Sequence, residues 1–281
     1  MTKTFALDHI VINVLFDMDR AAALMSQLGF TVTPRGHHSL GSINHLMMFE
    51  GPYLELIGLP SGTDVVRRDV LESPLGVNGL VFKADDVDAC LNRLRHSGLL
   101  MLDPQSFSRP VEIDDVEHLA RFRTIRTAPG QFEAGRVYYC QHYTPELVWH
   151  RPWMSHPNGC AGLSELVVVS RAVEAELSRF STAAQAGAKN RGGEIWTIEL
   201  AGGFVITLMS PARYLERYGG HGVAGNGRHS FFGAIVFKTA EIGPIRSLAA
   251  AIPELRSTAG AHSLQLLIPF LNTLLEFRGD R

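Results

Sequence analysis

Four runs of the chain share one pattern of apolar and polar positions: LDHIVINV (7–14), NGLVFKAD (78–85), LSELVVVS (163–170) and FFGAIVFK (231–238). Each is rich in β-branched or aromatic residues and reads as a strand. The first three lead into helical periodicity with a capping candidate in front and a glycine behind. Asp17 precedes MDRAAALMSQL, with Gly29 as its stop. Asp85 or Asp86 precedes VDACLNRLRHS, with Gly98 as its stop, and Ser170 precedes RAVEAELSRFSTAAQA, with Gly187 as its stop. The fourth, TAEIGPIRSLAAAI, is interrupted by Gly243 and Pro244, which predicts a late or short helix. Further strands are predicted at FTVTP, SINHLMMF and YLELIGL, then ARFRTIRT and RVYYCQHY, then EIWTIEL and FVITLMS, and finally HSLQLLI and LNTLLEF. The unit is one strand, one helix and about three strands, recurring every roughly 70 to 85 residues, longer than a solenoid repeat. That order predicts the α+β class. Two units make a domain, which gives 1–150 and 160–281, with WHRPWMSHPNG (149–159) as the linker.

Composition narrows the classes. A chain of 281 residues that is 46% apolar can bury a large core. A net charge of −2 and the lack of a polybasic run argue against nucleic acid and membrane surfaces as partners. Cys90, Cys140 and Cys160 form no CxxC pair and no disulfide framework, so a reducing, cytoplasmic setting is expected. The N-terminal apolar stretch is broken by Asp8, His9 and Asn13 and reads as a first strand rather than a signal peptide. Residues 257–275 carry no Asp, Glu, Lys or Arg, yet His262, Gln265, Pro269 and Asn272 fit a membrane span poorly. There is no GxxxxGK[ST] loop, no GxGxxG after a strand, no GxSxG elbow and no HExxH.

Candidate chemistry begins with YLELIG (53–58), which sets a carboxylate inside a strand. Tyr53, Glu55 and Ile57 share one face, Leu54 and Leu56 the other. A carboxylate enclosed without a partner costs several kcal/mol. Glu55 therefore faces a metal, a substrate, or a donor such as Arg123 or a backbone amide. In ARFRT, Arg121 and Arg123 alternate with Ala120, Phe122 and Thr124, and Arg109 lies upstream in SRPVE. Arginines gathered this way suit a carboxylate or phosphate; the alternative is a solvated flank pairing with Glu112, Asp114 and Asp115. GHHSLGSINH (36–45) holds three histidines in a glycine-marked loop that matches no zinc-finger spacing. Tyr53, Phe82, Tyr138 and Trp149 suggest either core or an apolar wall for a substrate.

The fourfold βαβββ order resembles the vicinal oxygen chelate superfamily, the glyoxalase and extradiol-dioxygenase fold. LGFTVTPRGHHSLGSINHLMMFEGPYLELIG, SRPVE, ARFRT, CQHYTPELVW and HPNG are similar to recurring phrases of its bacterial glyoxalase-like branch. The likeness is strongest over 7–160 and rests on module order alone beyond. It implies four modules in two domains, each pair of modules forming a cup, with metal ligands on the first and last strand of each module. Those positions hold His9 and Glu55 in the first module. In the second, Gly79 stands where His9 does. Alignment through Pro60 and Pro145 puts Cys140 opposite Glu55, with His142 two residues on.

A site of His9, Glu55 and His142 would suit Zn²⁺, Mn²⁺, Ni²⁺ or Fe²⁺ and leave positions open for substrate. Glu55 and His142 are the candidate catalytic residues; Arg121, Arg123, Arg109 and His38 are the candidate substrate contacts. His9 as a satisfied core histidine, Cys140 as a small buried hydrophobe and His142 as a polar strand end are the plainer readings. Glu165 and Glu276 take the corresponding places in the second half, which reads as structural. The resemblance implies a metal-dependent lyase or isomerase of a small oxygenated anion. The alternatives are an Fe²⁺ ring-cleaving dioxygenase and a metal-free protein that sequesters small molecules. A homodimer is compatible with each.

Overall fold

The computed structural model describes residues 4–62 and 67–279. The first module is β1 (Leu7–Leu15), α1 (Met18–Gln27), β2 (Gly36–His37), β3 (Ile43–Met47) and β4 (Tyr53–Gly58), followed by the single turn α2 (Arg68–Leu71). The second is β5 (Gly76–Lys83), α3 (Val87–His96), β6 (Gln105–Ile113), β7 (Val116–Arg126) and β8 (Arg136–His142). The third is β9 (Cys160–Ser170), α4 (Val173–Ala184), β10 (Ala188–Gly192), β11 (Ile195–Glu199) and β12 (Val205–Met209), then α5 (Pro211–Tyr218). The fourth is β13 (Ser230–Thr239), α6 (Gly243–Ala250), β14 (Arg256–Ala259), β15 (Ser263–Ile268) and β16 (Thr273–Gly279). The fold is α+β with four βαβββ modules.

Each pair of modules builds one eight-stranded sheet, β2-β3-β4-β1-β5-β8-β7-β6 and β10-β11-β12-β9-β13-β16-β15-β14. The first strands of a pair run antiparallel at the centre, and each pairs in parallel with the last strand of its own module. In the first sheet β1 is buried along nearly its whole length because both faces are covered. Ile10, Ile12 and Val14 join the core on the helix side. Val11, with Tyr53, Val81, Phe122 and Tyr138, lines the other side, the interior of the cup.

Local signals are met unevenly. Asp86 caps α3 by accepting from the amides of Asp88 and Ala89, whereas Asp17 makes no side-chain cap bond to α1. Ser170 bonds the Ala172 amide without being the cap of α4, and that helix ends on left-handed Gln185, ahead of Gly187. FTVTP is not a strand; Pro34 lacks an amide proton there, and pairing begins at β2. The short fourth helix is eight residues, opening at the Gly243–Pro244 step.

The helix-side core runs through both halves. Phe30 meets Phe237 at 5.6 Å between ring centroids, Phe132 meets Phe180 at 5.1 Å, and Tyr139 donates to the Ala183 carbonyl at 2.8 Å. The connection around 149–159 is pinned to that core. His156 accepts from the Thr31 amide and donates to the Met48 carbonyl, and Asn158 donates to the Leu28 carbonyl. Among the described residues no helix is long and apolar enough to cross a membrane.

Candidate functional site

The cup of the first sheet narrows to a cavity of about 40 Å³ lined by His9, His38, Asn44, Glu55, Arg67, Arg109, Arg126 and Tyr138, among others. His9 and Glu55 reach it from neighbouring strands, with Nε2 and Oε2 3.4 Å apart. The other edge of each group is held. Nδ1 of His9 donates to Asp8 Oδ1 at 2.6 Å, and Asn44 Nδ2 donates to Glu55 Oε1 at 2.7 Å. The Tyr53 ring stacks on the imidazole at 4.5 Å. Burial disfavours charge on both, but the facing partner wins: Glu55 falls to about 2, and His9, between Asp8 and Glu55, rises to about 9.

A β-bulge brings Asp8 into this group. The β1–β5 ladder slips between Leu7 and His9, and Leu7 and Ile10 both belong to the helix-side core. Asp8 and His9 therefore turn to the same side, which strict alternation forbids. Asp8 Oδ1 also accepts from His142 Nε2 at 3.0 Å, so the chain of contacts runs Glu55, His9, Asp8, His142. His142 meets Asp8 rather than Glu55. Asp8, Cys140 and His142 present ligand atoms that all lie within 4.8 Å of one another, the three-residue metal-capable group found among the described residues.

The arginines divide by strand parity. Ala120, Phe122 and Thr124 face the cup, so Arg121 is exposed and Arg123 pairs with Asp88 on α3 at 2.6 Å. Neither is brought to His9 and Glu55. Arg126, of the inward parity, does line the cavity, as do Arg109 and Arg67. Asp69 on α2 holds Arg67 at 2.9 Å, Arg126 at 3.2 Å and Arg136 at 3.4 Å. That turn is fixed over the cup by Asn13, whose amide donates to the carbonyls of Val70, Ser73 and Pro74. Arg109 is different: it is 4% exposed and has no hydrogen-bond or ion-pair partner among the described residues, and its Nη2 is fully enclosed. His38 lines the same cavity with Nδ1 against Ser42 Oγ at 2.9 Å. Burial, reinforced by Arg67 and Arg109, pushes it to about 3, so it is neutral.

The ladders also fix which positions correspond between modules. His9 pairs with Val81 and Val11 with Gly79, so the central two-fold relates His9 to Gly79 and Val11 to Val81. Val11 pairs with Glu55 and Val81 with Tyr138, which makes Tyr138, not Cys140, the counterpart of Glu55. A Cβ at Gly79 would meet Val11 at 2.8 Å, so no donor fits there. Asp8, Asn44, Arg67 and Arg126 escaped the sequence reading. Only Arg126 carried a signal, its shared parity with the apolar Ala120 and Phe122.

In the second cup, Arg217 of α5 binds Glu165 at 2.8 and 3.2 Å and Glu276 at 2.9 Å, and Tyr218 donates to Glu276 at 2.7 Å. Arg278 adds a contact to each carboxylate. The helix fills this cup, and the guanidinium groups of Arg217 and Arg278 balance the carboxylate pair.

A glyoxalase-like domain family matches residues 7–183, more than half of the chain. The protein belongs to that family. The match reaches past the first sheet into the third module, so its members share more than the first cup. A hypothetical protein from Staphylococcus aureus has the same fold over 98% of this chain and 100% of its own, with a TM-score of 0.70 at 12% identity. A mutant 4-hydroxymandelate synthase from Streptomyces coelicolor aligns over 100% of this chain and 94% of its own, with a TM-score of 0.56 at 16% identity. A xylose isomerase-like TIM barrel/4-hydroxyphenylpyruvate dioxygenase fusion protein aligns over 99% of this chain but 50% of its own, with a TM-score of 0.58 at 12% identity. At such identities these likenesses establish the vicinal oxygen chelate fold. No curated protein matches the sequence.

Proposed function

We propose that this glyoxalase-like protein is a lyase or isomerase that moves a proton on a small oxygenated carboxylate in the first cup. The observation that carries the reading is Arg109. A buried guanidinium without a hydrogen-bonded anion is strongly unfavourable; among the described residues Arg109 has none, although Glu55 in the same cavity acts on it through space. A substrate carboxylate bound bidentately would supply the missing bonds. The cavity's small volume limits the substrate to a few heavy atoms unless the α2 turn shifts.

The donor set fits a divalent ion on one side. Metal bonds of about 2.0–2.2 Å put neighbouring donors roughly 3 Å apart, and His9 Nε2 and Glu55 Oε2 stand 3.4 Å apart. Asp8 behind His9 and Asn44 behind Glu55 are the outer partners that orient such ligands. An ion held there would polarise a substrate oxygen as a Lewis acid. The chain's own residues do the rest. Arg109 anchors the carboxylate, Glu55 accepts the carbon-bound proton, neutral His38 offers a hydrogen bond, and Tyr53 and Tyr138 exclude water.

The test is solvent-deuterium exchange, followed by NMR, over a panel of two- to four-carbon 2-oxo and 2-hydroxy acids. Exchange by wild type that is lost in Glu55→Gln, with a raised KM in Arg109→Met, is the expected result. Oxygen consumption with a catechol or an aromatic 2-oxo acid would favour dioxygenase chemistry instead, the activity named for one of the structural neighbours. Tight binding without exchange or turnover would favour sequestration.

A further inference from the structure

We infer that Asp8, Cys140 and His142 form a second metal site, with a thiolate ligand, linked to the His9–Glu55 pair through Asp8 and bordering the same cavity at Cys140. Three features carry it. First, a carboxylate oxygen, a sulfur and an imidazole nitrogen all lie within 4.8 Å of one another on β1 and β8. Thiolate, imidazole and carboxylate are the donors zinc takes in tetrahedral sites, and three protein ligands leave the fourth position open. Second, the group contains unmet polar atoms in a place where they are costly. Asp8 is 1% exposed and its Oδ2 has no partner, and His142 Nδ1 is likewise enclosed without one. Third, the first of two slips in the β1–β5 ladder turns Asp8 toward Cys140 and His142, and such bulges re-aim side chains at functional sites.

The surroundings suit the occupant. Phe122 and Trp149 pack edge-on to His142 at 5.1 and 4.9 Å, fixing its ring and keeping water out. Asp8 also borders a groove of about 550 Å³ lined by Glu50, Glu146, Trp149, Lys83 and Lys238. Binding exchanges the Cys140 thiol proton for the ion and releases that proton to solvent, and the Cys140–metal bond forms in its place.

Untagged full-length protein, stripped with a chelator and titrated anaerobically with Co²⁺, gives the test. The readout is the near-ultraviolet thiolate-to-cobalt charge-transfer band, which an oxygen and nitrogen site lacks. The band is expected in wild type and in Glu55→Gln and absent in Cys140→Ser, which should still take up cobalt through His9 and Glu55. His142→Gln should weaken the cobalt affinity read from the band at least tenfold, and decides the matter if Cys140→Ser does not fold. No band in wild type overturns the site. A band lost equally in Glu55→Gln and Cys140→Ser means one shared site, and overturns the separation.

Discussion

His9 Nε2 and Glu55 Oε2 meet at 3.4 Å although the ladder pairs His9 with Tyr53 and Glu55 with Val11. The two side chains lean toward each other across one step of a parallel strand pair. What holds them there is a partner on each far edge, Asp8 for the imidazole and Asn44 for the carboxylate. The geometry is thus set by residues that never touch the cavity's occupant through their bonded atoms.

Asn44→Ala should expose this. Its amide fixes Glu55 Oε1, and loss of such an outer partner typically costs 10–100-fold in metal affinity or activity, here about that range. Circular dichroism should be unchanged, and metal affinity by chelator competition should fall. An Asn44→Ala protein with wild-type affinity would show that Glu55 is positioned by packing alone.

Arg109 and Arg123 should behave oppositely. Arg123→Ala removes an exposed, solvent-screened pair with Asp88, and should leave small-anion binding untouched. Arg109→Met removes an enclosed charge that has no ion-pair partner among the described residues. Replacing it with an apolar side chain of similar length should stabilise the fold by about 1–4 kcal/mol while abolishing carboxylate binding. Urea unfolding and isothermal titration with a small carboxylate read the two effects separately. Loss of both stability and binding in Arg109→Met would instead mark it as a structural residue.

Much of the fold was legible because each module repeats the same local chemistry: a β-branched strand, an amphipathic helix and a glycine stop. His9 and Glu55 were legible for the same reason, being inward positions of strongly patterned strands. The differences in placement have physical causes. Arg121 and Arg123 stood out as charges, but parity is set by the apolar residues between them, and Ala120 and Phe122 take the inside. Alternation along β1 would put Asp8 on the opposite face from His9, and no pattern in the sequence announces the bulge that reverses it. Arg67 is a loop residue placed by Asn13 through backbone carbonyls far along the chain, a contact that periodicity cannot report. The linker reads as loose from its Pro and Gly content, yet His156 and Asn158 tie it to carbonyls of the first module.

Gly36→Ala should disable the cup without replacing any of its polar groups. A Cβ there would collide with Asn44 Oδ1 and come within 3.1 Å of Arg109 Cδ and Nη1. Two side chains would have to move, one holding Glu55 and one facing the cavity. The expected cost is about 1–3 kcal/mol in stability, with a larger proportional loss of carboxylate affinity. Equal affinity in the variant would mean that Arg109 reaches its ligand in another rotamer.

The second cup offers a test of charge compensation free of any metal. Burial opposes ionisation of Glu276, but Arg217, then Arg278 and Tyr218, outweigh it and hold its pKa below the ordinary value. A depressed carboxylate pKa contributes stability that is present above the unfolded-state value and is lost as pH falls through the folded one. Wild type should therefore exceed Glu276→Gln in Tm at neutral pH, and the gap should close below about pH 4, where the unfolded carboxyl is protonated. Arg217→Met at neutral pH leaves Glu165 and Glu276 with Arg278 alone, and should cost about 3–5 kcal/mol. Acid should then rescue Arg217→Met relative to wild type, because protonating Glu276 removes its repulsion with Glu165. Thermal melts of the three proteins between pH 3 and 8 decide it: parallel curves would mean that α5 is held in the cup by the packing of Tyr214 and Tyr218, with the ion cluster contributing little.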